Sequence, residues 1–164
     1  YLRSEGIRYD AIDACVEMPD SDDLVVLVKR ITALDSFLQT KNGINLLSGF
    51  KRANNILIAE EKKDGVKYEL DPELKFLKDP NEKKLYSALN DAKLKIKIDL
   101  KEENFTEAMS AMADLREPID RFFKEVKVND ENQIIRRNRL CLLNNIKNVC
   151  CSVSNLNCIQ ESTK

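Results

Sequence analysis

Ile134-Ile135-Arg136-Arg137-Asn138-Arg139-Leu140-Cys141-Leu142-Leu143, with Ile146 and Cys150 beyond it, spaces its apolar residues as a helix buried along one face. With Arg139 at zero and about 100° added per residue, Ile135, Leu142, Leu143, Ile146 and Cys150 fall within roughly 60° of it. Arg139 therefore points with the core, Arg136 sits at the edge of that face, and Arg137 points almost opposite, into solvent. A guanidinium in a core costs several kcal/mol unless it is paired and hydrogen-bonded. The preceding segment, Leu115-Arg116-Glu117-Pro118-Ile119-Asp120-Arg121-Phe122-Phe123, supplies a partner, because Asp120 lies one turn after Arg116 on the same side of its helix. The expectation is a structural ion-pair group of Arg139, Asp120 and Arg116, in which Arg139 reaches Asp120 or neighbouring backbone carbonyls and locks two helices together.

Helical spacing continues upstream. Phe105, Met109, Met112, Arg116, Ile119 and Phe123 align on one stripe, which Pro118 must kink or divide, since it lacks a donor and its ring clashes with the preceding turn. Asp79-Pro80 opens a helix carrying Leu85, Leu89, Ala92 and Ile96, and Asp71-Pro72 opens a shorter one to Lys78. Ile44 to Glu60 reads as a helix, followed by a charged, glycine-containing loop over 60–68. Ser21 caps a helix that has Asp22 and Asp23 in its first turn and runs to Gln39; Gly43 ends the connection after it. Tyr9 to Met18 is a short helix stopped by Pro19, and Ser4-Glu5-Gly6 reads as the capped end of an earlier one. Val126-Lys127-Val128 is too short to make a sheet. Asp130-Glu131-Asn132-Gln133 reads as a capping box for the last helix, which reaches Cys150, and 151–164 reads as a polar segment that is loose at its end. The fold class is all-α, a bundle of about seven helices. The loop after residue 62 divides it into an N-terminal helical subdomain, 1–62, and a second helical domain, 63–164. Tyr1 is not an initiator methionine, so the chain reads as a piece of a longer protein.

Composition narrows the chemistry. Histidine is absent, which removes the commonest general base, the usual metal ligand and any Ser-His or Cys-His nucleophile pair. Five cysteines without a Cys-x-x-Cys spacing read as reduced thiols. No apolar run approaches the ~18 residues of a membrane span, and no signal-peptide pattern opens the chain. A net charge of −1 means that any nucleic acid must be held by a local cationic patch and by stacking, not by a global field. Lys51-Arg52-Ala53-Asn54-Asn55-Ile56 offers two cations and two amides for phosphate and base edges, or else a hydrated outer face. Lys93, Lys97 and Lys101 line one side of their helix as a possible backbone track, and Tyr86 is the ring best placed to stack on a base, whereas Phe123 belongs to the core.

Five segments in order carry a resemblance: Tyr9-Asp10-Ala11-Ile12-Asp13-Ala14, Val28-Lys29-Arg30-Ile31-Thr32-Ala33-Leu34-Asp35-Ser36-Phe37, Lys51-Arg52-Ala53-Asn54-Asn55-Ile56-Leu57, and the two arginine-containing segments quoted above. Together they resemble the C-terminal region of bacterial glycyl-tRNA synthetase beta subunits. That region is a helical anticodon-binding domain of the Asp-Ala-Leu-Arg type, also found in arginyl-tRNA synthetases. Asp130 through Ile134-Ile135-Arg136 represents the signature loosely, and no role is carried onto the cysteine-rich tail from Cys150. The resemblance implies an all-α fold like the anticodon-binding domain of arginyl-tRNA synthetases and a non-catalytic part of an aminoacyl-tRNA synthetase, a glycine-tRNA ligase. Its implied task is recognition of the tRNA-Gly anticodon, which ends in two cytosines. Glycylation with ATP and Mg is implied for the alpha subunit, the partner in an alpha2-beta2 assembly of the bacterial cytoplasm, with no cofactor in this part. Arg136, Asn138, Arg52, Asn55 and Lys51 are the implied RNA-binding residues, since Arg and Asn can serve the acceptors of an unstacked cytosine. Two alternatives stay open: a structural domain that docks beta to alpha without touching the anticodon, and a helical adaptor for a partner protein.

Overall fold

The computed structural model describes residues 6–19 and 21–161. Seven α-helices occur among them: α1 (Tyr9–Val16), α2 (Leu24–Gln39), α3 (Lys41–Asp64), α4 (Pro80–Lys101), α5 (Phe105–Ala113), α6 (Arg116–Glu125) and α7 (Gln133–Cys150). Two single 3-10 turns, Leu74–Phe76 and Leu156–Cys158, complete the order, so the all-α class expected from the sequence holds. Of the expected cap at Ser4-Glu5-Gly6, the first two residues lie outside the described ones; Gly6 has a positive φ of 80°.

The packing puts α7 against α3 and α4, α4 against α5 and α6, and α2 against α3 and α5. One continuous apolar core results, running from Ala11 in α1 to Ile159 in the tail and centred on Phe50, Leu57, Leu85, Leu89, Ile119, Phe122, Leu142 and Ile146. Residues of both the 1–62 and 63–164 segments contribute to it, and α3 continues past residue 62 to Asp64, where Gly65 ends it at φ 69°.

Local chemistry explains where the helices begin, and corrects several boundaries. Asp23, not Ser21, caps α2: its Oδ1 accepts from the Val25 and Val26 amides at 3.0 and 3.2 Å. Asn132 caps α7 alone, accepting from the Ile134 amide at 2.9 Å, whereas the reciprocal capping box belongs to Asp79 and Glu82 at the start of α4. Pro118 divides its stretch as expected, with the break four residues earlier at Asp114 and Leu115, where the ring would have met the helical carbonyl. The break shifts the stripe, so that Leu115 takes the buried position and Arg116 is left half-buried. The short helix expected after Asp71-Pro72 is only the 3-10 turn Leu74–Phe76.

The tail is packed against the bundle over its described length, and the end expected to be loose, 162–164, lies outside the described residues. Val153, Leu156 and Ile159 are fully or almost fully buried, and the Asn155 amide donates to the Ala14 carbonyl at 2.9 Å. Buried Arg30 of α2 donates to the Val153 carbonyl and lies 4.5 Å from the Phe105 ring centroid, joining α2, α5 and the tail.

The connection ends earlier than expected: Gly43 already lies in the first turn of α3, whose cap is Thr40. A single residue joins α2 to α3, and a Cβ at Gly43 would stand 1.9 Å from the Phe37 carbonyl oxygen. That oxygen already accepts from the Thr40 amide and hydroxyl, so it has no room to retreat. Gly43→Ala is expected to destabilise the fold by about 3 kcal/mol, the upper range for overpacking, read as a drop in the urea midpoint with an unchanged m-value.

Candidate nucleic-acid interface

The three arginines of α7 divide as the helical wheel requires, but the role expected of Arg136 and the carboxylate partner expected of Arg139 change. Arg139 is a scaffold residue, yet its carboxylate partner is Glu82 and not Asp120. Arg139 Nη2 donates to Glu82 Oε1 at 2.8 Å, and Nη1 reaches the Lys127 carbonyl at 2.6 Å and Asp130 Oδ2 at 3.3 Å. Glu82 is 0% exposed and also accepts from the Asp79 amide at 3.2 Å, so the residue that caps α4 is also the counter-ion of α7. Arg139 Nε and Glu82 Oε2 have no partner among the described residues. Asp120 is exposed because Ile119 and Phe122 take the inner face of α6; it pairs on the surface with Arg116 at 3.7 Å, and Arg116 also donates to Asn42 at 2.9 Å.

Arg136 was expected at an accessible edge. It is 7% exposed and closes α7 onto the end of α3. Nη2 bonds Asp64 Oδ2 at 2.7 Å and also Glu60, Nε donates to Asn129 Oδ1 at 2.7 Å, and Nη1 to Tyr68 Oη at 3.4 Å. Tyr68 in turn donates to Asp64 at 2.6 Å. Burial works to lower the Arg136 pKa, but the hydrogen bonds it donates to Asp64, Glu60 and Tyr68 outweigh it and raise it, so the guanidinium stays charged. Those bonds leave it no free fork for a base edge. The reason is steric and electrostatic: the last turn of α3 extends to Asp64 and carries both acids over the face where a solvent edge was expected.

Asn138 is 5% exposed and is likewise a clamp. Its Oδ1 accepts from the Glu73 amide at 2.6 Å and its Nδ2 donates to the Glu73 carbonyl at 3.2 Å, which ties the 3-10 turn to α7. Lys51 donates to the Asn157 carbonyl at 3.2 Å, and Arg52, though exposed, lies 4.6 Å from the Phe123 ring centroid. Asn55 is exposed on the same outer face. Arg52, Asn55 and Lys51 thus share one surface of α3, away from Arg136 and Asn138.

A hollow of about 350 Å³ between α4 and α7 was not singled out from the sequence as a site. Tyr86, Asn90, Lys93 and Lys97 line it from α4, Asn145 and Asn148 from α7, with Asp71 and Ser152 also among its lining residues. Along each helix these residues are spaced by three or four, so each helix contributes one face. Leu89, Ile96, Leu100 and Val149 form an apolar floor. Lys93 and Lys97 are exposed, and no ion pair engages them among the described residues. The lysine spacing and Tyr86 were legible; the facing asparagines needed the pairing of α4 with α7. Arg137 borders the adjoining recess, again beside Asp71.

The five cysteines carry free thiols. Burial pushes the Cys15 thiol up to about 12, with Arg30 opposing it, so this thiol is not a nucleophile. Among the described residues no helix is long and apolar enough to cross a membrane.

Comparison with known proteins places this geometry. Residues 46–156 match the DALR anticodon binding domain, a region that includes the hollow and the two buried arginines of α7. The glycine–tRNA ligase beta subunit of Ruegeria sp. (strain TM1040) is 49% identical over 160 residues, covering 98% of this chain and 23% of that protein. That of Cereibacter sphaeroides (strain ATCC 17029 / ATH 2.4.9) is 51% identical over the same shares, and that of Paracoccus denitrificans (strain Pd 1222) 48% over 90% of this chain and 22% of its own length. The chain therefore spans about a quarter of the length of these curated relatives. With the match covering most of its helices, the chain belongs to the DALR anticodon binding domain family, in the form shared with glycine–tRNA ligase beta subunits.

Proposed function

We propose that this chain recognises the anticodon of tRNA-Gly as the RNA-reading part of a glycine-tRNA ligase beta subunit. The observation that carries the reading is the α4–α7 hollow, which lies within the matched region and presents unpaired ammonium groups beside side-chain amides. An RNA loop needs that combination: cations for its phosphates, and amides for base edges that are no longer paired. Ammoniums at Lys93 and Lys97, with Lys101 continuing the same side of α4, offer a local positive strip on a chain whose net charge is only −1. Arg52, Asn55 and Lys51 form a second surface for the flanking backbone, although the cation–π contact and the tail carbonyl already engage the first and last of them.

Glycylation belongs in this proposal to an alpha subunit in the bacterial cytoplasm, with the ATP and Mg of the complete enzyme used there. Among the described residues no group of three or more His, Cys, Asp and Glu side chains is placed to hold a metal ion. Anticodon occupancy would reach the distant chemistry only as a coupling free energy through the remainder of the beta chain.

The test is equilibrium binding of tRNA-Gly transcripts. Changing an anticodon cytosine to uracil is expected to weaken binding by about 1–3 kcal/mol, the worth of one good polar base contact, and affinity is expected to fall as salt rises. Equal affinity for the two transcripts at all salt concentrations would overturn anticodon reading.

A further inference from the structure

The lining of the hollow has a feature that simple phosphate attraction does not explain. Asp71 is among its lining residues, where a carboxylate repels the RNA backbone that Lys93 and Lys97 attract. Asp71 is exposed and forms no ion pair among the described residues, although Arg137 shares the adjoining recess with it. A carboxylate accepts hydrogen bonds and donates none. Opposite a base edge, it favours an exocyclic amino group and repels a carbonyl oxygen. The lining residues of α4 run from Tyr86 to Leu100, about 21 Å of helix at 1.5 Å per residue. The space thus extends along α4 as a trough that suits a strand lying on that helix, with the half-buried Tyr86 ring able to stack on a base at one end.

We propose that this trough receives an unpaired RNA base bearing an exocyclic amino group, with Asp71 accepting the amino hydrogen, Asn145 and Asn148 serving the neighbouring base acceptors, and Lys93 and Lys97 holding the flanking phosphates. The inference rests on the anticodon reading above and deepens it by naming the residue that rejects uracil. Uracil presents a carbonyl oxygen where cytosine carries its amino group, so a carboxylate held against that position is met with repulsion instead of a hydrogen bond.

The experiment uses this chain with single-stranded RNA hexamers of cytidine, adenosine or uridine, read by fluorescence anisotropy, alongside the side-chain amide signals of Asn90, Asn145 and Asn148 by NMR. The cytidine and adenosine hexamers are expected to bind about tenfold tighter than the uridine hexamer, the equivalent of one polar contact, and to shift the asparagine signals. Asp71→Asn is expected to erase that preference by improving uridine binding, because an amide can donate to a carbonyl. Lys93→Glu with Lys97→Glu is expected to weaken every hexamer at least tenfold. All three side chains are exposed, so the fold is retained in each variant. If the wild-type chain prefers the amino-bearing hexamers and Asp71→Asn keeps that preference, the assignment to Asp71 is overturned. If RNA binds but the lysine reversals leave affinity unchanged, the trough is overturned while the anticodon reading stands on another surface. If neither the hexamers nor tRNA-Gly bind at all, both readings fall together.

Discussion

Arg139→Ala is expected to destabilise the fold by about 3–5 kcal/mol, the penalty for leaving a buried charge without its counter-ion, with a matching fall in melting temperature. The charge left behind is Glu82, which is fully buried and holds the N-terminus of α4 through its bond to the Asp79 amide. The same substitution frees the Lys127 carbonyl and removes the tie that fixes the segment between α6 and α7. Arg139→Lys recovers little, because a single ammonium cannot reach Glu82, the Lys127 carbonyl and Asp130 together. The pair itself is not optimal, since Arg139 Nε and Glu82 Oε2 lack partners. Joint replacement by Arg139→Met and Glu82→Leu is therefore expected to restore most of the loss, because an apolar pair carries no desolvation penalty. A double variant as unstable as the single one would show that the ion pair does more than neutralise two buried charges.

Arg136→Ala is expected to cost about 2–4 kcal/mol, somewhat less than Arg139 because its acidic partners keep some contact with water. Removing the guanidinium leaves Glu60 and Asp64 facing each other one turn apart at the end of α3. Tyr68 keeps its bond to Asp64 but loses its place beneath Arg136. The network also sets an acid response. The Tyr68 hydroxyl, and then Arg136, hold the Asp64 pKa below its ordinary 3.8. A depressed carboxylate contributes stability that is present above the ordinary value and lost as pH falls through the lower folded one. Asp64→Asn should accordingly flatten the acid limb of the stability curve below pH about 4, while the wild type loses stability across it. Binding separates this role from an RNA contact. If Arg136→Ala lowered RNA affinity with an unchanged unfolding midpoint, the guanidinium would be a reader and the scaffold assignment would fail.

The contrast between these two residues shows how much of the site was legible. Helical phase on α7 located Arg139 in the core and Arg137 in solvent, because phase depends only on residue spacing within one helix. It could not supply Glu82, which lies 57 residues away and faces Arg139 only after α4 packs on α7. It also could not foresee that α3 would run to Asp64 and cover Arg136, since a few residues of helix length decide whether an edge position meets water or two carboxylates. Asn138 illustrates the same gap: an amide on a helix edge looks like a base reader until the Glu73 backbone closes on it.

Amino-acid order alone determined the all-α class, most helix positions, the division at Pro118, the buried direction of Arg139 and the resemblance that the family match sustains. These follow from local physics: side-chain period, missing donors at proline, and the cost of exposing an apolar stripe. Tertiary packing decided which charges are consumed and which remain free. Pairing of α3, α4 and α7 spends Arg136, Arg139 and Asn138 on carboxylates and backbone, and brings Lys93, Lys97, Asn145 and Asn148 around a common hollow. A polar group is available to a ligand only when no neighbour in space has already satisfied it, and neighbours in space are not neighbours in sequence.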